Sequence, residues 1–113
     1  MISVSLRFHL TVTGLNGDDL SEHVGGVMSE LVTLVGINDG VSDPAVALDL
    51  GAGHIEVELV VGAASAGAAA DLGFDVIRTA IHAAGGFTPG WGDVSESTGH
   101  VEYDIENVEL QPA

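Results

Sequence analysis

Three histidines of this chain, His9, His54 and His100, have residue types and positions that could bind a metal ion. Each stands in a segment where apolar and polar residues alternate, and each takes the polar parity of its segment. On neighbouring strands they would gather at one end of a solvent-facing surface, with Glu56 or Glu102 nearby. Zinc and other late transition metals accept imidazole and carboxylate ligands. Because no local H-x-H or H-x-x-x-H spacing is present, three unrelated surface histidines are the alternative interpretation.

Charged residues of the same parity offer further chemistry. Arg7 lies between two acidic rows, Glu56 with Glu58 on one side and residues 102, 104 and 106 on the other. We expect Arg7 to relieve like-charge repulsion between strands; an anion clamp is the alternative, which the surrounding acids oppose. An open sheet face gives no burial to tune a carboxyl for acid–base catalysis. No G-x-S-x-G, H-E-x-x-H or EF-hand pattern is present, so the sequence predicts no catalytic residue and, the possible divalent metal aside, no cofactor.

The irregular segment 87–98 is the second candidate for contact with a ligand or partner. It has no periodicity, carries Pro89 and includes the aromatic residues Phe87 and Trp91. Binding residues collect in such loops, and Tyr103 follows in the next strand. The alternative is that Trp91 folds back and caps the core.

The elements that must position these residues follow from periodicity. Strict two-residue alternation predicts strands over 2–13 and 54–63, a further strand entered at Pro44, and a last strand from near Gly99. Apolar stripes predict a helix over about 18–35, stopped by Gly36, and a second helix capped by Ser65. The alternation of the last strand slips phase near residues 106–107, which predicts a β-bulge.

This order of elements, with a tight hairpin between the middle strands, resembles the split βαββαβ pattern of ferredoxin-like sandwiches. The fold class expected is therefore α+β: a four-stranded antiparallel sheet with two helices on one face. One hundred and thirteen residues correspond to a single domain, 1–113. The resemblance is one of architecture and implies no activity by itself.

Net charge narrows the classes of partner. Seventeen acids face two arginines and no lysine, giving a formal charge of −15. Such a chain is not expected to bind nucleic acid or anionic membranes, whose ligands are cationic residues. Solubility in an acidic host proteome explains the charge, and an acidic decoy of nucleic acid is the alternative. The sequence has no cysteine and no membrane-length apolar run, so a soluble, cytoplasmic protein is expected.

The function expected from these observations is non-catalytic association. An exposed edge strand invites pairing, and the last strand is long and has no lysine to blunt its edge. We therefore expect a homodimer or higher homo-oligomer through that strand, or a complex with another protein. Two alternatives stay open. One is a ligand-binding protein or enzyme with a pocket under the 87–98 loop, similar to the dimeric α+β barrel monooxygenases and isomerases. The other is the decoy, which would bind a basic protein.

Overall fold

A computed structural model of the chain describes residues 1–15, 17–88 and 101–113. These residues form, in chain order, β1 (Ile2–Thr13), α1 (Gly17–Ile37), β2 (Val41–Asp49), β3 (His54–Ala63), α2 (Ala66–Ala83) and β4 (Glu102–Pro112). The predicted strand–helix–strand–strand–helix–strand order is thereby confirmed. The beginning expected for the last strand, near Gly99, lies outside the described residues.

The strands form one antiparallel sheet in the order β2-β3-β1-β4. Strands β1 and β3 occupy its middle, while β2 and β4 lie at its edges. The buried residues of both helices join the inward-facing residues of the strands in one core, so both helices cover the same face. The structure is thus consistent with the ferredoxin-like α+β fold that the order of elements predicts.

The core is built from one parity of each strand. On β1 every second residue from Val4 to Val12 is buried, whereas Arg7 between them is exposed. Helix α2 lies close to β1 where its buried face has a small residue: a Cβ added to Gly73 would collide with Leu6. Each large apolar side chain buried this way stabilises the fold by roughly 1.5–3 kcal/mol, which fixes the face that β1 turns to solvent.

The helix bounds confirm one predicted signal and overturn another. Ser65 is the N-cap of α2, and its Oγ accepts a hydrogen bond from the Ala68 amide at 3.1 Å. The expected stop at Gly36 is wrong, because α1 continues through it to Ile37; a glycine outside the left-handed region only weakens a helix. No helix within the described residues is long and apolar enough to cross a membrane.

Strand β2 begins earlier than expected. The prediction placed its entry at Pro44, but β2 starts at Val41 and is interrupted by a shift of register between Ser42 and Ala45. Asp43, with φ of 53°, lies within the shift. A bulge lets the strand pass Pro44, which lacks the N–H of a regular ladder.

The irregularity predicted in β4 is a bulge at Glu106. Asn107 pairs with His9 and Ile105 with the next residue of β1, which leaves Glu106 as the extra residue. Because the bulge changes the parity of the strand, Glu106 and Glu109 both reach the open face of the sheet.

Outside β4, Phe87 forms a short parallel bridge with Glu102. The Phe87 amide donates to the carbonyl of Val101 at 3.0 Å, and the Tyr103 amide donates to the carbonyl of Phe87 at 2.9 Å. The chain itself therefore covers the outer side of β4 at the beginning of the strand.

Candidate functional site

The open face brings His9 and His54 together towards the end of the sheet at which β3 begins. In the β1–β3 register, His9 lies opposite Glu56 and Thr11 lies opposite His54, so the two imidazoles are diagonal neighbours. Their ring centroids are 5.9 Å apart and the ring planes are inclined by 27°. Their side chains are 18% and 30% exposed, which leaves both rings accessible from solvent.

Three carboxylates surround this histidine pair. Glu56 Oε1 lies 3.3 Å from His9 Nδ1, and Glu109 makes a short hydrogen bond with His9 Nε2. Glu106 accepts a short hydrogen bond from the Thr11 hydroxyl and lies 3.3 Å from His54 Nδ1. The bulge in β4 is the reason that both Glu106 and Glu109 can point at β1.

These contacts favour the charged form of the two β4 carboxyls. The hydrogen bond from Thr11, followed by the contact with His54, lowers the pKa of Glu106. The hydrogen bond with His9 lowers the pKa of Glu109. The histidine pair is therefore bordered by full negative charge at neutral pH, a setting that attracts a cation.

Three of these side chains already lie at nearly metal-binding separations. His9, His54 and Glu56 each offer one ligand atom, and all three atoms lie within 4.8 Å of one another. Ligands bound tetrahedrally at 2.0–2.1 Å are roughly 3.4 Å apart, so the three atoms would move closer together on binding an ion. We name His9, His54 and Glu56 the imidazole–carboxylate cluster.

Arg7 neutralises the neighbouring part of the open face, as expected. Its guanidinium forms an ion pair with Glu58, with Nη2–Oε1 at 2.6 Å and Nε–Oε1 at 2.7 Å. The hydrogen bond with Glu58 raises the pKa of Arg7. On the other side of β1, Arg7 lies directly opposite Glu109 of β4. Because the guanidinium of Arg7 pairs with Glu58, it does not pair with Glu56, the carboxylate of the imidazole–carboxylate cluster.

A second polar pair, which the sequence analysis missed, lies between helix α1 and the start of β4. The Tyr103 side chain is fully buried, and its hydroxyl lies 2.7 Å from Nδ1 of His23. Nε2 of His23 is buried and has no hydrogen-bond partner among the described residues. Burial lowers the pKa of His23 and raises that of Tyr103. Both side chains are therefore neutral near pH 7, with the hydroxyl donating to the imidazole.

The surroundings of this pair form only a shallow depression. It is lined by four residues of α1 and by one residue before α1 and one just after α2: Asp19, Glu22, His23, Gly26, Leu15 and Ala84. His23 lies on the lining of this depression, whereas the Tyr103 side chain with which it is paired is fully buried and is not part of the lining. Nearby on α2, His82 is half-buried, and its Nε2 lies 3.0 Å from the hydroxyl of buried Thr88.

The described site residues predicted from the sequence lie on the open face of the sheet, at the bridge to β4 and in the core. His9 and His54 come together as expected, while His100 and Trp91 lie outside the described residues. Phe87 is half-buried in its bridge to β4, and Tyr103 lies in the core with His23. Contact of Phe87, Trp91 and Tyr103 with a ligand or partner stays a prediction.

The sequence matches no model of a known protein family, and no curated protein matches it.

Proposed function

We propose that this chain is a non-catalytic association module that pairs with a second copy of itself through the outer edge of β4. The observation that carries the proposal is the edge itself. β4 lies at the end of the sheet, and past the Phe87 bridge no described strand pairs with its outer side. Both edge strands contain a bulge, but Pro44 lies inside β2, whereas the proline of β4, Pro112, is the last residue of its strand.

Backbone geometry identifies the donors of that edge. The Ala113 amide donates to the carbonyl of Ser3 on β1. Because successive N–H groups of a strand point alternately to its two sides, the amides of Leu110 and Val108 point outward. Leu110 and the adjoining Ile2 are 44% and 45% exposed. They line an apolar groove with Val4, Ala66 and Pro112, which adds apolar surface to bury beside the hydrogen bonds.

Charge opposes this pairing and gives it a distinctive salt dependence. The open-face side of β4 carries Glu102, Asp104, Glu106 and Glu109. The hydrogen bond with Asp104 raises the pKa of Glu102, which indicates that the carboxyl groups of this strand lie close together. Like charges facing each other across paired strands are destabilising, and salt screens exposed charges over about 10 Å at 0.1 M. The dimer should therefore strengthen as salt is added.

Native mass spectrometry and light scattering over a salt series test the proposal. Leu110→Pro removes one outward N–H without removing a hydrogen bond to β1, and Leu110→Ala is its matched control that keeps the N–H. We expect wild type to form a dimer that grows with salt, Leu110→Pro to be monomeric and Leu110→Ala to retain most of the dimer. A monomer at every salt concentration would refute the proposal, as would equal loss in both variants.

Two other functions have specific tests in the same experiments. The buried Tyr103–His23 pair favours a ligand-binding or catalytic role, and a retained organic molecule in the native mass spectrum would support it. An acidic decoy would bind a basic protein with an affinity that falls with salt, the opposite sign to the dimer. The lack of cysteine agrees with a reducing compartment, so the proposal includes a cytoplasmic location.

A further inference from the structure

The imidazole–carboxylate cluster has a donor set typical of transition-metal sites. Magnesium and calcium sites are built from oxygen ligands, whereas two imidazoles and one carboxylate suit zinc and its neighbours in the first transition row. The three ligands come from β1 and β3, the two central strands, whose register fixes their spacing. The backbone therefore presents them in a fixed arrangement.

The carboxylates of β4 complete the arrangement. A metal-bound histidine generally donates its second ring N–H to a carboxylate or carbonyl, which orients the ring. Glu109 occupies that position at His9 Nε2, which leaves Nδ1 facing Glu56. Glu106 occupies it at His54 Nδ1, which leaves Nε2 for a metal. Both rings are thus oriented by outer carboxylates.

We propose that His9 Nδ1, His54 Nε2 and Glu56 bind one divalent transition-metal ion, of the zinc class, on the open face of the sheet. Glu106 and Glu109 orient the two imidazoles. Three protein ligands leave a coordination position open to water or to a ligand from solvent. The site uses one chain only, so it goes beyond the association module and does not depend on it.

Two glutamates on the same strand and face provide a matched comparison. Glu56 belongs to the cluster, whereas Glu58 is paired with Arg7. Glu56→Gln and Glu58→Gln remove the same charge from β3, but only the first removes a ligand. A diffuse attraction of cations to an acidic surface would weaken equally in both variants. A coordinated metal would respond only to Glu56→Gln.

The experiment is calorimetric titration of chelator-treated, full-length protein with Zn²⁺, in wild type and in the monomeric Leu110→Pro background. We expect one ion per chain in both, and no competition from a large excess of Mg²⁺. Glu109→Gln should weaken Zn²⁺ by about 10–100-fold, the usual cost of an outer-shell carboxylate. His54→Gln and Glu56→Gln should weaken it by at least as much, and Glu58→Gln should change it less than about twofold.

Co²⁺ provides an independent readout, because its visible absorption spectrum reports coordination by nitrogen and oxygen ligands. We expect that spectrum in wild type and Glu58→Gln and its loss in His54→Gln, with circular dichroism confirming that each variant is folded. Absence of stoichiometric Zn²⁺ binding would overturn the site. Equal weakening by Glu56→Gln and Glu58→Gln would also overturn it. Neither result would change the conclusion about the dimer, which native mass spectrometry and light scattering test separately.

Discussion

The Tyr103–His23 hydrogen bond provides a quantitative test of how a buried polar pair stabilises this fold. Tyr103→Phe removes only the hydroxyl and leaves the ring in place. Nδ1 of His23 would then join Nε2 in having no partner among the described residues. Stranding a buried polar group costs about 1–3 kcal/mol. We expect Tyr103→Phe and His23→Phe each to lower the free energy of unfolding by about that amount.

The double variant separates the hydrogen bond from other effects of the two substitutions. Replacing both partners by apolar groups leaves neither stranded, so Tyr103→Phe with His23→Phe should cost about 1–2 kcal/mol less than the sum of the single variants. Urea unfolding followed by far-ultraviolet circular dichroism, at fixed salt and protein concentration, measures all four free energies. Additive losses would refute the reasoning, because they would mean that the two side chains stabilise the fold independently.

The same pair predicts a dependence of stability on pH. Because burial lowers the pKa of His23 below its ordinary value of 6.5, the unfolded chain binds a proton there more readily than the folded chain. Its contribution is therefore complete above pH 6.5 and is lost as pH falls from that value through the lower pKa of the folded state. The difference in stability between wild type and His23→Phe should shrink on acidification from pH 8 to pH 5. A difference that stays constant over this range would contradict the assignment.

Two further predictions concern the helices. Gly73→Ala should destabilise the protein by about 1–3 kcal/mol, because the added Cβ would overlap Leu6, whereas Gly25→Ala, with nothing near its Cβ, should stabilise it by about 0.5–1 kcal/mol. Thermal melts of the two variants should move in opposite directions, and a stabilising Gly73→Ala would contradict the close packing of α2. Ser65→Ala removes the acceptor of the Ala68 amide and should cost about 0.5–2 kcal/mol by the same assay; an unchanged melting temperature would mean that the cap adds nothing.

The sequence predicted the strands well because the alternation of apolar and polar residues along a strand indicates directly which residues are buried. The parity of residues 2–13 and 54–63 was enough to place one face of each strand in the core. It was also enough to place His9 and His54 on a common surface. It did not give their register, so the exact partner of each ring, Glu56 opposite His9 and Thr11 opposite His54, came only from the structure.

The features that sequence reasoning missed depend on contacts between distant residues. His23 lies within the amphipathic pattern of α1, and no periodicity indicates that its partner is Tyr103, 80 residues later. The phase slip predicted the bulge in β4, yet nothing local indicated that it would bring Glu106 and Glu109 to the histidine pair. At Pro44 a local rule favoured a strand entry, and the bulge at Asp43 allowed β2 to begin earlier.

The position of β1 in the sheet has a consequence for the order in which the molecule can be completed during synthesis. Of the four strands of this sheet β1 is translated before the others, whereas one of its two neighbours, β4, is translated after them: Val4 pairs with Pro112 and Thr13 with Glu102. Until residues 102–112 have been added, one side of β1 has no partner from its own chain, and its hydrogen-bonding groups can pair only with water or another polypeptide. Such late, long-range pairing is slow compared with the formation of helices. One edge of β1 therefore stays unpaired until β4 has been made, and the high negative charge of the chain opposes its pairing with another acidic nascent chain during that interval.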